Sequence, residues 1–355
     1  MKTIGKTLLL AILLVIAYLL FWPVDISPVS WKSQKATSTY SATTDNYLEA
    51  TQIFGKNDGI GPEDIDVDSY GNIYAPYEDG RIMRYNSNGQ NPKLFADTKG
   101  RPLGLEFDKD DNLIVCDAKK GLLKISQDGN IEVLLTSVDG LALGFTNDVD
   151  IAKDGTIYFT DASSKWHIED YRSDIVEHKA YGRLISYNPD TKESKVLKDN
   201  LYFANGVAIS ADQSFVLINE TSEYRIIKVW IDGVNKGKSE VFMDNLEGIP
   251  DGISSNGKGI FWVAFPSKRK EIIDNLSEKT FLRKVIMRLP LFLQPSPERH
   301  AFAIGVDEDA RIVYNLHDSS KESYSPVTSV EEHKGKLYLG SLSYPGFGVV
   351  KAPAR

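Results

Sequence analysis

"NGVAISADQSFVLINETSEYRIIKVWIDG", Asn205 to Gly233, is the stretch whose reading decides the fold. It contains a short apolar strand, a polar turn at Ala211-Asp212-Gln213-Ser214, a second apolar strand, another turn and a third strand. The same order recurs along the chain. "EDIDVDSYGNIYAPYEDGRIMRYNSNG" begins at Glu63 and "LGLEFDKDDNLIVCDAKKGLLKISQDG" at Leu103. "NDVDIAKDGTIYFTDASS" begins at Asn147 and resumes in "GRLISYNPDT". "DGISSNGKGIFWVAF" begins at Asp251, and "IGVDEDARIVYNLHD" and "VTSVEEHKGKLYLGSLSYPGFGVVK" follow. A spacing of roughly 40 to 60 residues in all-β sequence predicts a propeller of four-stranded blades. Six units fit, so residues 48–355 read as an all-β, six-bladed β-propeller. The strand "LEATQIFG", Leu48 to Gly55, is expected to complete the last blade.

The opening Asn-Gly raises a chemical question. Asn-Gly makes a tight hairpin when strands flank it on both sides. Here the next turn comes only at Ala211, so Asn205 stands at the entrance of a strand. Innermost strands run along the central channel, and the residues before them ring one mouth. Glu63, Asn147, Asn205 and Asp251 occupy that phase in four units. Two carboxylates and two amide oxygens suit a hard cation such as Ca²⁺, which takes six to eight oxygen ligands. No cysteine or histidine shares the phase, which argues against a zinc centre. Asp64 and Asp148 come next in their strands. They are candidates for a second, deeper ion, or for bonding backbone amides in the channel. Gly206 is expected to allow the bend that aims the Asn205 amide at the axis.

Composition narrows the class. The chain has 355 residues, 42% of them hydrophobic, and a net charge of −8, which argues against a general nucleic-acid binder. One cysteine, Cys116, excludes an intrachain disulfide, and its place in "NLIVCDA" predicts a buried packing role. "TLLLAILLVIAYLLFW", Thr7 to Trp22, is an apolar run behind Lys2 and Lys6. "PVDISPVSW" offers only a poor cleavage site after it, so residues 1–30 read as a cytoplasmic stub and an uncleaved signal-anchor helix. The leading lysines place the propeller on the extracytoplasmic side. Residues 31–47 read as a polar linker.

Two insertions break the repeat, at 164–181 and 266–300. In the second, Phe281, Leu282, Val285, Ile286 and Leu289 follow a helical period with Arg283, Lys284 and Arg288 among them. A helix packed on the propeller, a lid over a site and a basic face touching a membrane surface are the readings open at this point. In the first insertion His167 and His178 are within reach of the mouth, or else are solvated loop residues. Trp166 and Tyr171 are candidates for a pocket wall.

Several stretches carry a family resemblance: "RPLGLEF" (Arg101–Phe107), "CDAKKGL" (Cys116–Leu122), "FTNDVDIAKDGTIYFTDASSKW" (Phe145–Trp166), "YFANGVAIS" (Tyr202–Ser210), "GIPDGI" (Gly248–Ile253) and "EEHKGKLYLGSL" (Glu331–Leu342). The chain resembles the six-bladed propellers that include senescence-marker/gluconolactonase proteins, paraoxonases and strictosidine-synthase-like proteins. It also resembles the adipocyte plasma membrane-associated protein group. The resemblance implies a channel calcium and members that hydrolyse esters or lactones. It carries the ligand positions onto Glu63, Asn147, Asn205 and Asp251, and a second, structural calcium onto Asp64 and Asp148. Leu103 stands where paraoxonases place the histidine of a proton-shuttling dyad. Thr328 stands where strictosidine synthases place a catalytic glutamate, which argues against alkaloid condensation. Gly252 replaces the asparagine that paraoxonases place after the ligand aspartate.

The expected activity is therefore calcium-dependent hydrolysis of a lactone or small aryl ester. Glu63, Asn147, Asn205 and Asp251 form the catalytic set, with Asp251 or Glu63 taking a proton from water and the two amides facing the oxyanion. Leu103, Trp166, His167 and Tyr171 are placed at the pocket or lid. A non-catalytic, calcium-stabilised binding or scaffold propeller is the competing reading. The oligomeric state is not legible.

Overall fold

A computed structural model describes residues 2–34, 36 and 46–354. Six four-stranded antiparallel sheets follow one another along the chain, each built from consecutive strands except the last. In the last sheet the innermost strand is Ser329–His333, and the outermost is the N-terminal strand Gln52–Phe54. Gln52 pairs with Val349 and Phe54 with Phe347, so the two ends of the propeller close in one sheet, as expected. Six apolar clusters fill the seams between neighbouring blades. One joins Ile65 and Tyr77 of the first blade to Tyr338 and Phe347 of the last.

The acidic and amide residues of the repeat have two structural duties. At the far end, Asp68, Asp108 and Asn256 fold the first hairpin of their blades. Asp68 Oδ1 accepts the amides of Tyr70 and Asn72, at 3.0 and 2.7 Å. Asp108 and Asn256 repeat the pattern two and four residues on. Such Asx turns satisfy amides that the strands cannot. At the mouth, the last residue of the second strand clamps the chain entering the innermost strand. Asp117 accepts the Arg101 amide (2.9 Å), Asp161 that of Phe145 (2.8 Å) and Glu220 that of Tyr202 (2.8 Å). Arg183 covers Asp161 at 2.6 Å in a buried pair.

Helix α1, Lys2–Phe21, has 20 residues, longer than the apolar run alone. At 1.5 Å per residue it measures about 30 Å, the thickness of a hydrocarbon core. The first insertion folds into a 3₁₀ turn and helix α2, Tyr171–Glu177. The second folds into α3, Glu271–Asp274, and α4, Thr280–Arg288, then a 3₁₀ turn at Leu291–Leu293. Both insertions join the second strand of a blade to the third. They therefore lie at the end of the propeller where the innermost strands begin.

Residues 31–34 are docked rather than free. Trp31 stacks on His178 with ring centroids 4.2 Å apart, and Ser33 Oγ donates to Asp274 at 2.7 Å. Residues 35 and 37–45 of the expected linker lie outside the described residues, and its last residue, Tyr47, opens a 3₁₀ turn over Tyr47–Ala50. Helix α4 also reverses the expected arrangement. Arg283 and Arg288 face inward and are buried, whereas Phe281 and Leu282 are exposed. Backbone carbonyls of residues 19–29 pull the guanidinium groups in.

Candidate functional site

The ring forms because successive innermost strands repeat one local geometry. Thr146–Ile151 and Ala204–Ile209 each bulge at the Asn, with register shifts between Thr146 and Val149 and between Ala204 and Val207. Pro102–Phe107 bulges in the same way, between Pro102 and Leu105. A bulge adds one residue to one strand and re-aims its side chains. Asn147 and Asn205 are therefore inside their strands, not before them, and both are buried. Gly206 is explained by crowding rather than by a left-handed bend. A Cβ there would lie 2.3 Å from the Ile253 nitrogen, and the Gly206 amide donates to Asp251 O at 3.0 Å.

The four sequence-derived donors border one channel cavity. Glu63, Asn147 and Asn205 line it directly, as do Asp64 and Asp148, and Asp251 is hydrogen-bonded to Asn205 through Nδ2 and Oδ1. Asn205 Nδ2 also donates to Thr221 Oγ1 at 3.1 Å, and that hydroxyl donates to Pro250 O at 2.8 Å. Both amide protons of Asn205 are thus committed, which corrects the expectation that this group faces an oxyanion. Its Oδ1 is buried with no partner. Asn219 holds the Asp251 carbonyl through Nδ2 at 2.6 Å. Thr328 Oγ1 donates to Glu63 O at 2.8 Å, so the sixth blade braces the first.

The channel is strongly acidic. Glu106, Asp150 and Glu331 line it below the ring, and no basic side chain is among the lining residues. Burial, and then the charges of Asp251, Asp64 and Asp148, push the Glu63 carboxyl well above the usual carboxylate range. Burial raises Asp251 to about 7, against the Asn205 hydrogen bond, and Asp66 and Asp150 to about 7 and 6. Burial and the neighbouring Asp66 charge raise Glu106 and Glu331 well above their usual range. Like charges that share a desolvated space disfavour ionisation.

These residues fit a hard cation. The buried, unpartnered Asn205 Oδ1 is an oxygen donor without a hydrogen, and two carboxylates stand with it in the ring. Among the described residues no group of three His, Cys, Asp or Glu side chains is arranged as a metal centre. The fitting set is a mixed one, two carboxylates with two amides.

Asp64 and Asp148 take the structural duty. Leu105 N donates to Asp64 Oδ2 at 2.9 Å, and Val207 N to Asp148 Oδ2 at 2.8 Å. Asp66 and Asp150 repeat this with Phe107 N and Ile209 N. The pairs tie blade one to two and blade three to four, which the alternation "DIDV" and "DVDI" foreshadows.

The pocket residues divide. Leu103 is buried with Phe145 and Phe203 beneath Ile168, Tyr171 and Ile175, and neither Leu103 nor Tyr171 is among the residues that line the channel cavity. Trp166 turns away, donating from Nε1 to Glu177 Oε2 at 2.8 Å beneath the Lys165 ammonium. His167 is exposed, its ring Nδ1 2.9 Å from Gly144 O. His178 is neither solvated nor at the mouth. It is buried, 2.9 Å from Glu223 Oε1, behind Trp31. Cys116 is fully buried, as expected, its Sγ 3.3 Å from Asp148 O.

A six-bladed propeller with an acidic, amide-bearing channel mouth defines the class. Residues 44–85 match the strictosidine synthase-like N-terminal family, and residues 147–234 the strictosidine synthase family. Adipocyte plasma membrane-associated protein of Bos taurus is 33% identical, covering 91% of this chain and 83% of its own. Strictosidine synthase-like protein 10 of Arabidopsis thaliana is 35% identical, covering 81% and 84%. The chain belongs to this strictosidine synthase-like family. A gluconolactonase of Xanthomonas campestris shares the fold at TM-score 0.62 and 16% identity, over 93% of this chain and 96% of that one. A calcium-binding regucalcin of Agrobacterium tumefaciens shares it at TM-score 0.60 and 13% identity, over 88% and 98%.

Proposed function

We propose that the protein is a membrane-anchored, calcium-dependent hydrolase of lactones or small aryl esters, its propeller on the extracytoplasmic side. The observation that carries this is the buried Asn205 Oδ1, partnerless beside Asp251 in a ring with Glu63 and Asn147. Calcium held there supplies positive charge to polarise a carbonyl and steady the oxyanion. Thr221 and Asp251 hold the Asn205 amide so that its oxygen faces the axis. Asn147 keeps an amide available to the substrate oxygen. Asp251, hydrogen-bonded to Asn205 in the ring, is the group to accept a proton from water, with Glu63 as its alternative. Leu103, Phe145 and Phe203 form a buried apolar cluster with Tyr171 at the mouth end of the propeller, in keeping with an acyl or aryl group in the substrate. Asp64 and Asp148 hold the amides of Leu105 and Val207, and the lone pairs left on their carboxylates are the donors for a second, structural ion. The gluconolactonase and regucalcin neighbours support the reading by analogy of fold.

One observation favours a scaffold role instead. Among the described residues no histidine lines the channel cavity to shuttle protons, and α2 packs over its blade two to four side. The two readings part on one experiment. Bound metal is measured in the full-length protein, and a panel of lactones and aryl esters is assayed with and without chelator. Chelator-sensitive turnover that Asn205→Ala abolishes at unchanged fold is the expected outcome. Bound calcium with no turnover of any panel member would assign the site to stability alone.

A further inference from the structure

The second insertion and the end of α1 form one apolar surface. After α4 the chain turns through Leu291, Phe292 and Leu293, which are 67%, 84% and 57% exposed. Three successive large apolar side chains in water are costly, at about 25 cal/mol per Å² of apolar area. Phe281 on α4 is 52% exposed and Phe21, at the end of α1, 78%. Several large apolar side chains exposed on one insertion and on the helix end beside it mark an interaction site rather than ordinary surface.

The arginines fix where this surface lies. Arg288 donates from Nε to Trp22 O at 2.5 Å and from Nη1 to Leu19 O at 2.9 Å. The last carbonyls of a helix lack partners within it and carry partial negative charge, so a cation there completes the helix end. Arg283 holds Val29 O and, at 2.8 Å, Val176 O. Residues 19–29 therefore run antiparallel along α4, and Leu291–Leu293 emerges beside the C-terminal end of α1. That end carries the ring pair Tyr18 and Trp22, centroids 5.5 Å apart, the side chains favoured at a membrane–water boundary.

We propose that Leu291–Leu293 and Phe281 insert into the bilayer that α1 enters, as an interfacial face locked to the anchor by Arg288 and Arg283. The occupant is the boundary between headgroups and acyl chains, where apolar faces of this kind are buried about 5–10 Å deep. Membrane contact, one of the readings open for the second insertion, is thus made by its apolar face, the basic one having turned inward. Because the insertion lies at the mouth end of the propeller, the channel mouth is turned toward the membrane. The proposal rests on α1 being a membrane anchor, and the test separates the two.

The full-length chain, reconstituted in phosphatidylcholine vesicles, receives a single environment-sensitive fluorophore at Phe292→Cys, Leu13→Cys or Val234→Cys. Buried Cys116 stays unlabelled. Val234, 97% exposed, lies in the loop between the third and fourth strands of its blade, at the opposite end of the propeller. Lipids brominated at shallow acyl positions are expected to quench most of the emission at 292, those brominated deep most of it at 13, and neither that at 234. Quenching at 13 with none at 292 overturns the inserted face and keeps the anchor. A blue-shifted 292 emission that bromolipid leaves untouched means that protein covers the patch, and also overturns it. No quenching at either position overturns the anchor as well.

Discussion

Asp251→Asn changes one atom type at the centre of the ring and has opposite effects with and without calcium. In the cation-free protein, burial raises the Asp251 carboxyl from 3.8 to about 7. The folded state therefore keeps a proton between pH ~4 and ~7 that the unfolded chain has released. Where the folded state binds more protons, stability falls as pH rises, and the loss is complete above the folded value. A shift of about 3 units at about 1.4 kcal/mol each amounts to roughly 4 kcal/mol by pH 8. The asparagine never ionises, so Asp251→Asn is expected to be the more stable protein in chelator at pH 8 and little different at pH 4. At about 2 °C per kcal/mol the gain in unfolding midpoint is up to about 8 °C. Calcium acts in the other direction. It stabilises the wild type by about 2.7 kcal/mol at a hundredfold excess over its Kd, and does little for the variant. The assay is thermal unfolding of the protein in detergent, at pH 4 and pH 8, with chelator and with calcium. The reasoning fails if the variant gains nothing over wild type at pH 8 in chelator, or answers calcium as the wild type does.

Gly206→Ala places a methyl 2.3 Å from the Ile253 nitrogen, on backbone that cannot step aside. It is expected to cost about 1–3 kcal/mol and to weaken the calcium response by moving Asn205 off the axis, both read by thermal unfolding across a calcium titration. Asp161→Asn leaves buried Arg183 without its charge partner and should destabilise the third blade by about 3 kcal/mol, seen as a lower denaturant midpoint. Arg288→Ala frees the carbonyls of Leu19 and Trp22, so limited proteolysis between residues 22 and 29 should speed up several-fold while calcium affinity stays unchanged.

Much of the fold was legible because β-structure advertises its period. Turn residues at fixed intervals and apolar strands between them define four-stranded units without reference to any contact. A closing strand within Leu48–Gly55 could even be assigned across the chain, since six blades of four need one strand more than the C-terminal segment contains, although only Gln52–Phe54 is extended and Leu48–Ala50 belong to a 3₁₀ turn. The ring was legible for the same reason. A repeat carries phase, and phase placed Glu63, Asn147, Asn205 and Asp251 around one axis. Asn219, Thr221 and the crowding at Gly206 have no such signature. They act on groups 16 to 47 residues away in sequence, most of them in the next blade, so only the packed propeller brings them together.

The insertions belong to the structure alone. Their sequence shows which side chains alternate on a helix, not which face is turned inward. Periodicity in α4 suggested apolar contact with the propeller. The unpaired carbonyls of residues 19–29 took the arginines instead, because a buried acceptor without a donor costs more than an exposed leucine. His178 was likewise read as a loop histidine until Trp31, more than a hundred residues earlier, covered it. What the chain determined by itself is a six-bladed propeller with four oxygen-bearing residues in one phase. What tertiary packing decided is where each of those oxygens is aimed. A repeat specifies positions around an axis, whereas hydrogen bonds from neighbouring blades specify orientation.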